Sequence, residues 1–359
     1  MKDNFKGNEL MDSLRVIAPG TPLREGLDNI LKAKTGGLIV IGDSPEILAL
    51  VDGGFHINKD YSPSHIYELA KMDGAIILNK EAKKILLANV LLIPDPKIPT
   101  NETGTRHRTA ERVAKQTREI VISISERRNI ITLYKGNYKY IIKDTNVVLA
   151  RANQALQTLE KYKVVLDSAM TNLSVLEYED MVTLNDVVIA ISRTEIVLRI
   201  ALEIEKYICE LGNEGILVNM QLEELLGETE EDAELIIEDY MLPTDNRTPE
   251  DILKQIRVSS QEDLLDLNYI CKTLGFTNVT NPLDLSVYPK GYRILSKLHR
   301  VPMLVIENLI HRFKNFQGVL EATTDELDDV EGIGEIRAKI IKEGLKKIQD
   351  QLSIDSKYV

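Results

Sequence analysis

The spacing of apolar residues changes near Asp144, and this change limits the folds that the sequence can adopt. Between residues 35 and 145, short apolar runs such as Gly37 to Gly42 and Gly74 to Leu78 alternate with turn residues, which is typical of strands. After Asp144, apolar residues recur every three or four positions, as they do on one face of a helix. The sequence therefore predicts a sheet domain followed by long helices.

The first part of the chain also contains helical spacing between its strands. Residues 64–72 and 106–117 have this spacing, and residues 130–142 fit a β-hairpin with a Gly-Asn turn. An α/β domain, with a mixed sheet flanked by helices, is therefore predicted for residues 1–145.

Two further regions follow, and both are predicted to be helical throughout. Residues 146–287 are expected to form an all-α spine, in which a second long helix ends at Gly212. From residue 288 to residue 359, the predicted helices are short and separated by tight turns, which is typical of a small all-α domain. Three domains agree with a length of 359 residues, because single cores rarely grow beyond about 300 residues.

Composition and charge exclude several classes of protein. The longest apolar run, Ile85 to Ile93, has nine residues, less than half of what a membrane-spanning helix needs. No apolar signal core follows Met1 to Lys6, so a cytoplasmic location and no membrane partner are predicted. The net charge of −12 opposes a broad DNA-binding surface. Residues 291–359, however, hold 11 basic and 11 acidic side chains, so this region is neutral.

A glycine-rich turn near the C-terminus predicts a contact with phosphate. Residues Val330 to Ala338 follow the pattern apolar-x-Gly-x-Gly-x-x-x-Ala, which resembles a helix-hairpin-helix motif. Its glycines permit a tight turn and expose backbone N–H groups at a helix start. The predicted DNA-binding residues are Gly332, Ile333, Gly334, Arg337 and Arg300. A turn that only packs two helices is the alternative.

An upstream segment, Leu298 to Leu309, occupies the place of a partner hairpin but lacks the two glycines. Arg300 and His299 are candidates to replace the missing backbone contacts by charge. Solvated surface positions are the alternative for both side chains.

A basic cluster marks the start of a predicted helix in the first domain. Arg106, His107 and Arg108 place two guanidinium groups and an imidazole there, between Thr105 and Thr109. The helix dipole, the guanidinium groups and the hydroxyls all favour a polyphosphate at this position. Without an anion, a basic helix start is electrostatically unfavourable.

Asp73 and Gly74 stand at the start of a predicted apolar strand. They supply a carboxylate at the strand edge and a glycine that allows a ligand to approach closely. Alone, an Asp-Gly pair mostly indicates a turn.

Taken together, these motifs are specific. Asp73-Gly74-Ala75 and Arg106-His107-Arg108, in a domain that also holds Thr35-Gly36-Gly37 and Asp52-Gly53-Gly54-Phe55, resemble the diadenylate cyclase domain. With the spine and the hairpin region, nearly the whole chain resembles the DNA-integrity-scanning diadenylate cyclases of bacteria.

That resemblance implies an activity and partners. The expected reaction condenses two ATP molecules into cyclic di-AMP and releases two pyrophosphates, with Mg²⁺ or Mn²⁺ as cofactor. The expected assembly is a homo-octamer that binds branched DNA such as Holliday junctions.

Roles for individual residues are also expected. We interpret Arg106, His107 and Arg108 as triphosphate ligands, with Thr105 and Thr109 positioning the substrate. The other expected nucleotide contacts are Gly74, Leu92 and Ser125. Asp73 either holds a divalent cation or orients the attacking hydroxyl, and Glu126 is a candidate second metal ligand.

Two other functions remain open at this point. One is a non-catalytic DNA repair scaffold whose first domain senses a nucleotide. The other is an ordinary nucleotidyltransferase that modifies another protein or a DNA end.

Overall fold

A computed structural model of the chain describes residues 11–242, 247–277 and 279–355. The segment from Met1 to Lys6, on which the predicted cytoplasmic location depends, lies outside these residues.

The described residues divide into two compact units. The sheet unit lies within Met1–Gln154 and Ile204–Met220, and the helical unit within Ala155–Glu203 and Gln221–Val359. The finer division at residues 145 and 287 stays a prediction.

The sheet unit contains the predicted mixed sheet, in which the described residues form eight strands. The strand order is β2-β5-β4-β1-β6-β7-β8, with β3 paired to β5. Strands β1 and β4 are parallel, and the other pairs are antiparallel. The strands are β1 (Gly37–Ile41), β2 (Val51–Asp52), β3 (Phe55–Asp60), β4 (Ala75–Leu78), β5 (Lys84–Leu92), β6 (Ile120–Ser125), β7 (Ile130–Lys135) and β8 (Tyr138–Ile141).

Helices cover both faces of this sheet. They are α1 (11–16), α2 (Pro22–Lys32), α3 (Pro45–Leu48), α4 (Pro63–Leu69) and α5 (Thr105–Thr117). Ile39 and Ile41 of β1 pack in the core that contains α2 and α4, whereas Leu38 and Val40 pack in the core that contains α5. Because side chains alternate along a strand, burial on both faces explains why β1 is apolar at consecutive positions.

The remaining elements are helical, which confirms the predicted all-α spine. The helices are α6 (Thr145–Glu179), α7 (Leu184–Leu211), α8 (Ile216–Leu226), α9 (Thr229–Tyr240), α10 (Pro249–Val258), α11 (Gln261–Leu265), α12 (Leu267–Thr273), α13 (Tyr292–Ser296), α14 (Met303–Phe313), α15 (Phe316–Glu321), α16 (Thr324–Asp328) and α17 (Glu335–Asp355). Helix α7 ends one residue before Gly212, whose φ is 53°. Within the described ranges, no helix is both long and apolar enough to cross a membrane.

A buried ion pair lies inside the helical unit. Glu177 pairs with Arg293 and accepts a hydrogen bond of 2.7 Å from the Tyr240 hydroxyl. Arg293 also donates to Ser174 Oγ at 3.0 Å. Together with Asp239, we call these residues the Arg293 network.

Asp239 anchors the start of α13. Its carboxylate accepts the backbone N–H groups of Gly291 and Tyr292 at 2.7 Å each and that of Arg293 at 3.1 Å. Helix α13 is therefore held by a side chain of α9, more than fifty positions earlier in the chain.

Candidate active site

Four strands bring residues to one edge of the sheet. The parallel strands β1 and β4 begin at this edge. Strand β6 ends there, since Ile124 pairs with Gly37 of β1, and β5 ends there, since Val90 pairs with Ala75 of β4. We call this the converging edge, because the loops that follow β5 and β6 and the loops that precede β1 and β4 meet there.

Asp73 and Arg106 lie together at the converging edge. Asp73 stands two residues before β4, and its side chain is fully exposed. Arg106 belongs to the first turn of α5, and its Nη2 is 3.7 Å from Asp73 Oδ1. The fold thus joins two motifs that are more than thirty residues apart in the sequence.

The start of α5 offers free backbone donors. The first intrahelical bond runs from Arg108 N–H to the carbonyl of Gly104 at 2.9 Å. Gly104, the N-cap, has no side chain, and in the described part of the chain no side chain caps this helix. The N–H groups of Thr105, Arg106 and His107 therefore lack helical partners and favour an anion.

The two arginines of this helix do not point the same way. Positions two apart in an α-helix differ by roughly 200° around its axis. Arg108 is exposed, with Nε 3.5 Å from the carbonyl of Glu102, whereas Arg106 faces Asp73. The two guanidinium groups therefore contact different parts of their surroundings. Thr105 is exposed, and Thr109 is half-buried.

His107 lies on the inward face of α5, where it is buried. Its Nδ1 is 3.0 Å from the Tyr134 hydroxyl, which donates to Glu102 Oε1 at 2.9 Å. Because the Tyr134 proton goes to Glu102, the Tyr134 oxygen accepts from His107 Nδ1–H, and Nε2 carries no proton. Nε2 is buried and has no hydrogen-bond partner among the described residues.

Burial favours the neutral form of His107. Burial, the largest influence, lowers the pKa of His107, and the charges of Arg128 and Lys139 lower it further, against the opposing charge of Glu102. Protonation above pH 7 is therefore disfavoured. His107 offers a neutral ring instead of the charged one that the basic motif suggests, and its contact with a triphosphate stays a prediction.

Glu102 completes this chain of contacts. Its carboxylate pairs with Lys139 and accepts from Tyr134. Burial raises the pKa of Glu102, but hydrogen bonds from Lys139 and Tyr134 outweigh that influence, and the net pKa is lowered. We call Glu102, His107, Tyr134 and Lys139 the His107 network. It fixes the first turn of α5 from the interior.

Sequence reasoning did not identify three members of this network. A buried tyrosine needs a hydrogen-bond partner, which is the one available signal at Tyr134. Its partners lie 27 and 32 positions away, so only the fold identifies them.

Gly74 and Leu92 contribute to the converging edge through packing. Gly74 has a φ of 91°, and a Cβ atom there would lie 2.8 Å from the carbonyl oxygen of Val90. The glycine thus lets β4 approach the backbone of β5. The Leu92 side chain is buried in the core that contains α5. Their contacts with a nucleotide stay predictions.

Ser125 and Glu126 lie where β6 turns into β7. Ser125 Oγ accepts the backbone N–H of Arg128 at 3.2 Å, and Glu126 is exposed in the same turn. Because β6 ends at the converging edge, both residues lie on the same side of the sheet as Asp73.

A divalent cation fits this edge only together with a substrate. Among the described residues, no group of three or more His, Cys, Asp or Glu side chains could hold a metal ion. Mg²⁺ sites often combine one or two carboxylates with water and substrate phosphates, however. The exposed carboxylate of Asp73 is a hard oxygen donor and suits such a site, with Glu126 as a second candidate.

Two turns in the C-terminal region have the same backbone form. Residues 298–302 and 330–334 each make a tight turn and lead directly into α14 and α17. At the matching positions, Arg300 has a φ of 67° and Gly332 a φ of 85°. The upstream segment therefore adopts the glycine-type turn although it lacks the glycine.

The predicted DNA-binding residues of the second turn differ in accessibility. Gly332 and Gly334 are exposed, and a Cβ atom at Gly334 would meet no atom of the described residues within 4 Å. Ile333 is buried, and Arg337 donates to the carbonyl of Gly332. Gly334 thus leaves its backbone open, whereas the carbonyl of Gly332 is held by Arg337, which supports the turn itself. Their binding to DNA stays a prediction.

Comparisons with known proteins cover both units. Residues 24–138 match the family model "DisA bacterial checkpoint controller nucleotide-binding", and residues 142–283 match the "DisA bacterial checkpoint controller linker region". The first match includes Asp73 and the start of α5.

Curated relatives match over nearly their full length. The DNA integrity scanning protein DisA of Acetivibrio thermocellus is 59% identical over 355 residues, covering 99% of this chain and 98% of the relative. The protein of the same name from Clostridium botulinum (strain Loch Maree) is 59% identical, with 98% of each chain covered. That from Carboxydothermus hydrogenoformans is 58% identical, covering 97% and 99%. The chain therefore belongs to the family of DNA integrity scanning proteins named DisA.

Proposed function

We propose that the protein is a diadenylate cyclase, which condenses two ATP molecules into cyclic di-AMP and releases two pyrophosphates. The observation that carries this proposal is the contact of Asp73 with Arg106 at the start of α5, which no side chain of the described residues caps. A carboxylate beside a cationic, N–H-rich helix start suits a nucleoside triphosphate and the hydroxyl that reacts with it.

The reaction joins each 3′-hydroxyl to the α-phosphate of the other ATP. The O3′–phosphorus bond forms as the bond to pyrophosphate breaks, so catalysis depends on in-line positioning and on charge neutralisation. Asp73 orients the attacking hydroxyl or holds the cation, since its exposed carboxylate is free to do either.

Helix α5 binds the triphosphate in this proposal. The free N–H groups of its first turn contact phosphate oxygens, Arg106 and Arg108 neutralise charge from two sides, and Thr105 and Thr109 add hydroxyl donors. His107 acts from the interior through Tyr134, which keeps the first turn in place. The nucleotide pocket also includes Gly74, Leu92 and Ser125.

The proposed cofactor is Mg²⁺ or Mn²⁺, held by Asp73 and, as a second ligand, Glu126. When bound, a divalent cation supplies positive charge to the phosphate groups. Substrate phosphates complete its oxygen ligands.

Two copies of the chain are needed for one product. The reaction is two-fold symmetric, and each chain carries one set of these residues, so a C2 pair of half-sites suits it. We propose a homo-octamer, in which such pairs repeat.

The C-terminal turns are the proposed DNA site. Exposed backbone at Gly332 and Gly334 suits phosphate contacts that need no broad basic patch, and several copies in one assembly add avidity for branched DNA such as Holliday junctions. We propose that such binding lowers cyclase activity.

One experiment tests the enzymatic proposal. The purified protein is incubated with ATP and Mg²⁺ or Mn²⁺, and the products are identified by mass. Cyclic di-AMP with pyrophosphate supports the cyclase. Unchanged ATP favours the nucleotide-sensing scaffold, and AMP attached to a protein or a DNA end favours the ordinary nucleotidyltransferase.

A second experiment tests the DNA proposal. The cyclase rate is measured against the concentration of a four-way junction, for the wild type and for a variant in which Gly332 and Gly334 are both changed to Ala. Inhibition in the wild type that disappears in the variant is expected. Inhibition that persists in the variant contradicts the assignment.

A further inference from the structure

Gly36 is buried immediately before β1, at the converging edge. A Cβ atom built on Gly36 would lie 1.9 Å from Arg106 Nη1 and 3.1 Å from Arg106 Cζ. Cβ atoms essentially never come closer than about 3 Å to a heavy atom outside their own and the neighbouring residues, so the guanidinium group occupies the space that a side chain at position 36 would need.

We propose that Gly36 is a positioning residue for the proposed cyclase reaction. Its missing side chain leaves the space in which the Arg106 guanidinium lies beside Asp73. This inference rests on the proposed function, because Arg106 matters there as a ligand of the triphosphate.

The backbone of Gly36 does not explain why glycine stands there. Gly36 has no positive φ, whereas Gly74 has a φ of 91° and would press a Cβ atom against the backbone of β5. An L-residue is therefore permitted at position 36 by its backbone conformation, and the main obstacle is the side chain of Arg106.

A methyl group at this position is expected to displace a side chain of the site without disturbing the packing of the fold. The guanidinium is the far end of a flexible side chain and is 40% exposed, so it can turn into solvent when displaced. Turning away breaks its 3.7 Å contact with Asp73 and removes a fixed cation from the start of α5. The sheet and the helix keep their packing.

Gly37, the next residue, provides a matched control. A Cβ atom there would lie 3.6 Å from Ile124 Cδ1 and 3.9 Å from Ile30 Cγ2, which are ordinary contacts. Gly37→Ala adds the same methyl group one position away, without reaching Arg106.

The test compares full-length wild type with Gly36→Ala, Gly37→Ala, Arg106→Ala and the double variant Gly36→Ala/Arg106→Ala. Two quantities are measured: kcat/KM for cyclic di-AMP formation, and the affinity for 3′-deoxyadenosine triphosphate, which lacks the attacking hydroxyl. Thermal unfolding of each protein is followed in parallel.

We expect Gly36→Ala to lower kcat/KM by about 10- to 100-fold, the size of a lost charge-assisted contact, and to come close to Arg106→Ala. Gly37→Ala is expected to stay within about twofold of the wild type. In the Arg106→Ala background, adding Gly36→Ala is expected to cost less than about twofold, since both changes remove the same interaction.

Three results overturn the inference. The first is a Gly36→Ala protein that matches Gly37→Ala in rate and in nucleotide affinity. The second is a double variant whose loss is the product of the two single losses, because Gly36 would then act through the carbonyl of Ile124, 3.3 Å away, and not through Arg106. The third is a double variant that does not fold, which would place the clash in the backbone.

If the Gly36→Ala protein fails to fold, the double variant shows whether the contact with Arg106 is the cause. If the double variant folds and has the activity of Arg106→Ala, the contact with Arg106 is supported. Failure of the proposed function is visible separately, as a wild type that makes no cyclic di-AMP. The nucleotide affinities of the variants then still test the role of Gly36.

Discussion

Each unit of the protein contains a network of buried polar side chains. The two networks differ in how far their charged groups are exposed to solvent. In the sheet unit, the His107 network runs from the first turn of α5 to Lys139, whose side chain is 46% exposed. In the helical unit, Arg293 and Glu177 are 1% and 0% exposed, so their charges lie wholly inside.

This difference in exposure indicates which part of the molecule each network stabilises. The His107 network lies behind the helix start that faces Asp73, and it contains a ring nitrogen without a partner in the described structure. The Arg293 network joins α6, α9 and α13, and it also contains a buried nitrogen, Arg293 Nε, without a partner among the described residues. We therefore expect substitutions near the first to change catalysis, and substitutions in the second to change the free energy of unfolding.

The largest expected effect is on catalysis and involves Asp73. Asp73→Asn removes the charge at nearly constant shape and is expected to reduce cyclic di-AMP formation by about a thousandfold or more. Because the side chain is fully exposed, the free energy of unfolding is expected to change by less than about 0.5 kcal/mol. Near wild-type activity with intact metal dependence would remove Asp73 from the mechanism.

The opposite result is expected in the helical unit. Arg293→Ala leaves Glu177 buried without its charge partner and is expected to lower the free energy of unfolding by about 3 to 5 kcal/mol. Cyclase activity per folded protein is expected to remain unchanged. Chemical denaturation followed by circular dichroism measures the loss.

Lys254→Ala serves as the control for this prediction. Lys254 forms an exposed ion pair with Glu250 in the same unit, and solvent screens such pairs, so the free energy of unfolding is expected to change little. Equal losses for Arg293→Ala and Lys254→Ala would contradict a structural role for the buried pair.

Tyr134→Phe tests whether the His107 network links fold and site. Removing the hydroxyl leaves His107 Nδ1 and Glu102 Oε1 without this partner, at a cost of about 1 to 3 kcal/mol in the free energy of unfolding. We also expect kcat/KM to fall, because the first turn of α5 loses its interior support. Enzyme kinetics and denaturation are measured on the same preparation.

Tyr61→Phe is the matched control in the sheet unit. The Tyr61 hydroxyl donates to the carbonyl of Pro22 at 3.2 Å and belongs to no part of the His107 network. A smaller loss of stability is expected, because water can replace this exposed hydrogen bond, and no loss of kcat/KM is expected. If Tyr134→Phe behaves in the same way, the His107 network is structural only.

The sequence predicts strongly periodic elements well, because local spacing determines them. Strand β1, the helix over 106–117 and the long helix α7 with its end before Gly212 are all confirmed. Helix α15, six residues long, was not predicted.

The candidate site was predictable in part. The separation of Asp73 and Arg106 in the sequence does not predict the distance between them in the structure. The pairing of β1 with β4 and β6 brings them to one edge of the sheet. The inward orientation of His107 depends on which face of α5 meets the core. The space at Gly36 depends on a rotamer of Arg106, which no local pattern encodes.

The last expected effect is the pH dependence of the free energy of unfolding, to which Asp239 and Glu102 contribute with opposite signs. Burial, together with the charge of Glu177, raises the pKa of Asp239 from 3.8 to about 7. Glu102 has a lowered pKa, because hydrogen bonds from Lys139 and Tyr134 outweigh the influence of burial.

Between about pH 4 and pH 7, the folded protein binds a proton at Asp239 that the unfolded chain does not bind. The free energy of unfolding therefore falls as the pH rises in this range, by up to about 1.4 kcal/mol per pH unit. Glu102 stabilises the folded protein above its usual pKa of 4.5, and this contribution is lost as the pH falls. Urea denaturation from pH 3.5 to pH 7.5 separates the two acids. Asp239→Asn is expected to reduce the fall in the free energy of unfolding toward neutral pH. Glu102→Gln is expected to reduce its fall toward acidic pH. An Asp239→Asn protein whose stability follows the wild-type pH profile from pH 5 to pH 7 would contradict this assignment. Asp239 would then be ionised in the folded protein throughout, held so by the N–H groups of Gly291, Tyr292 and Arg293 and by the charge of Arg293.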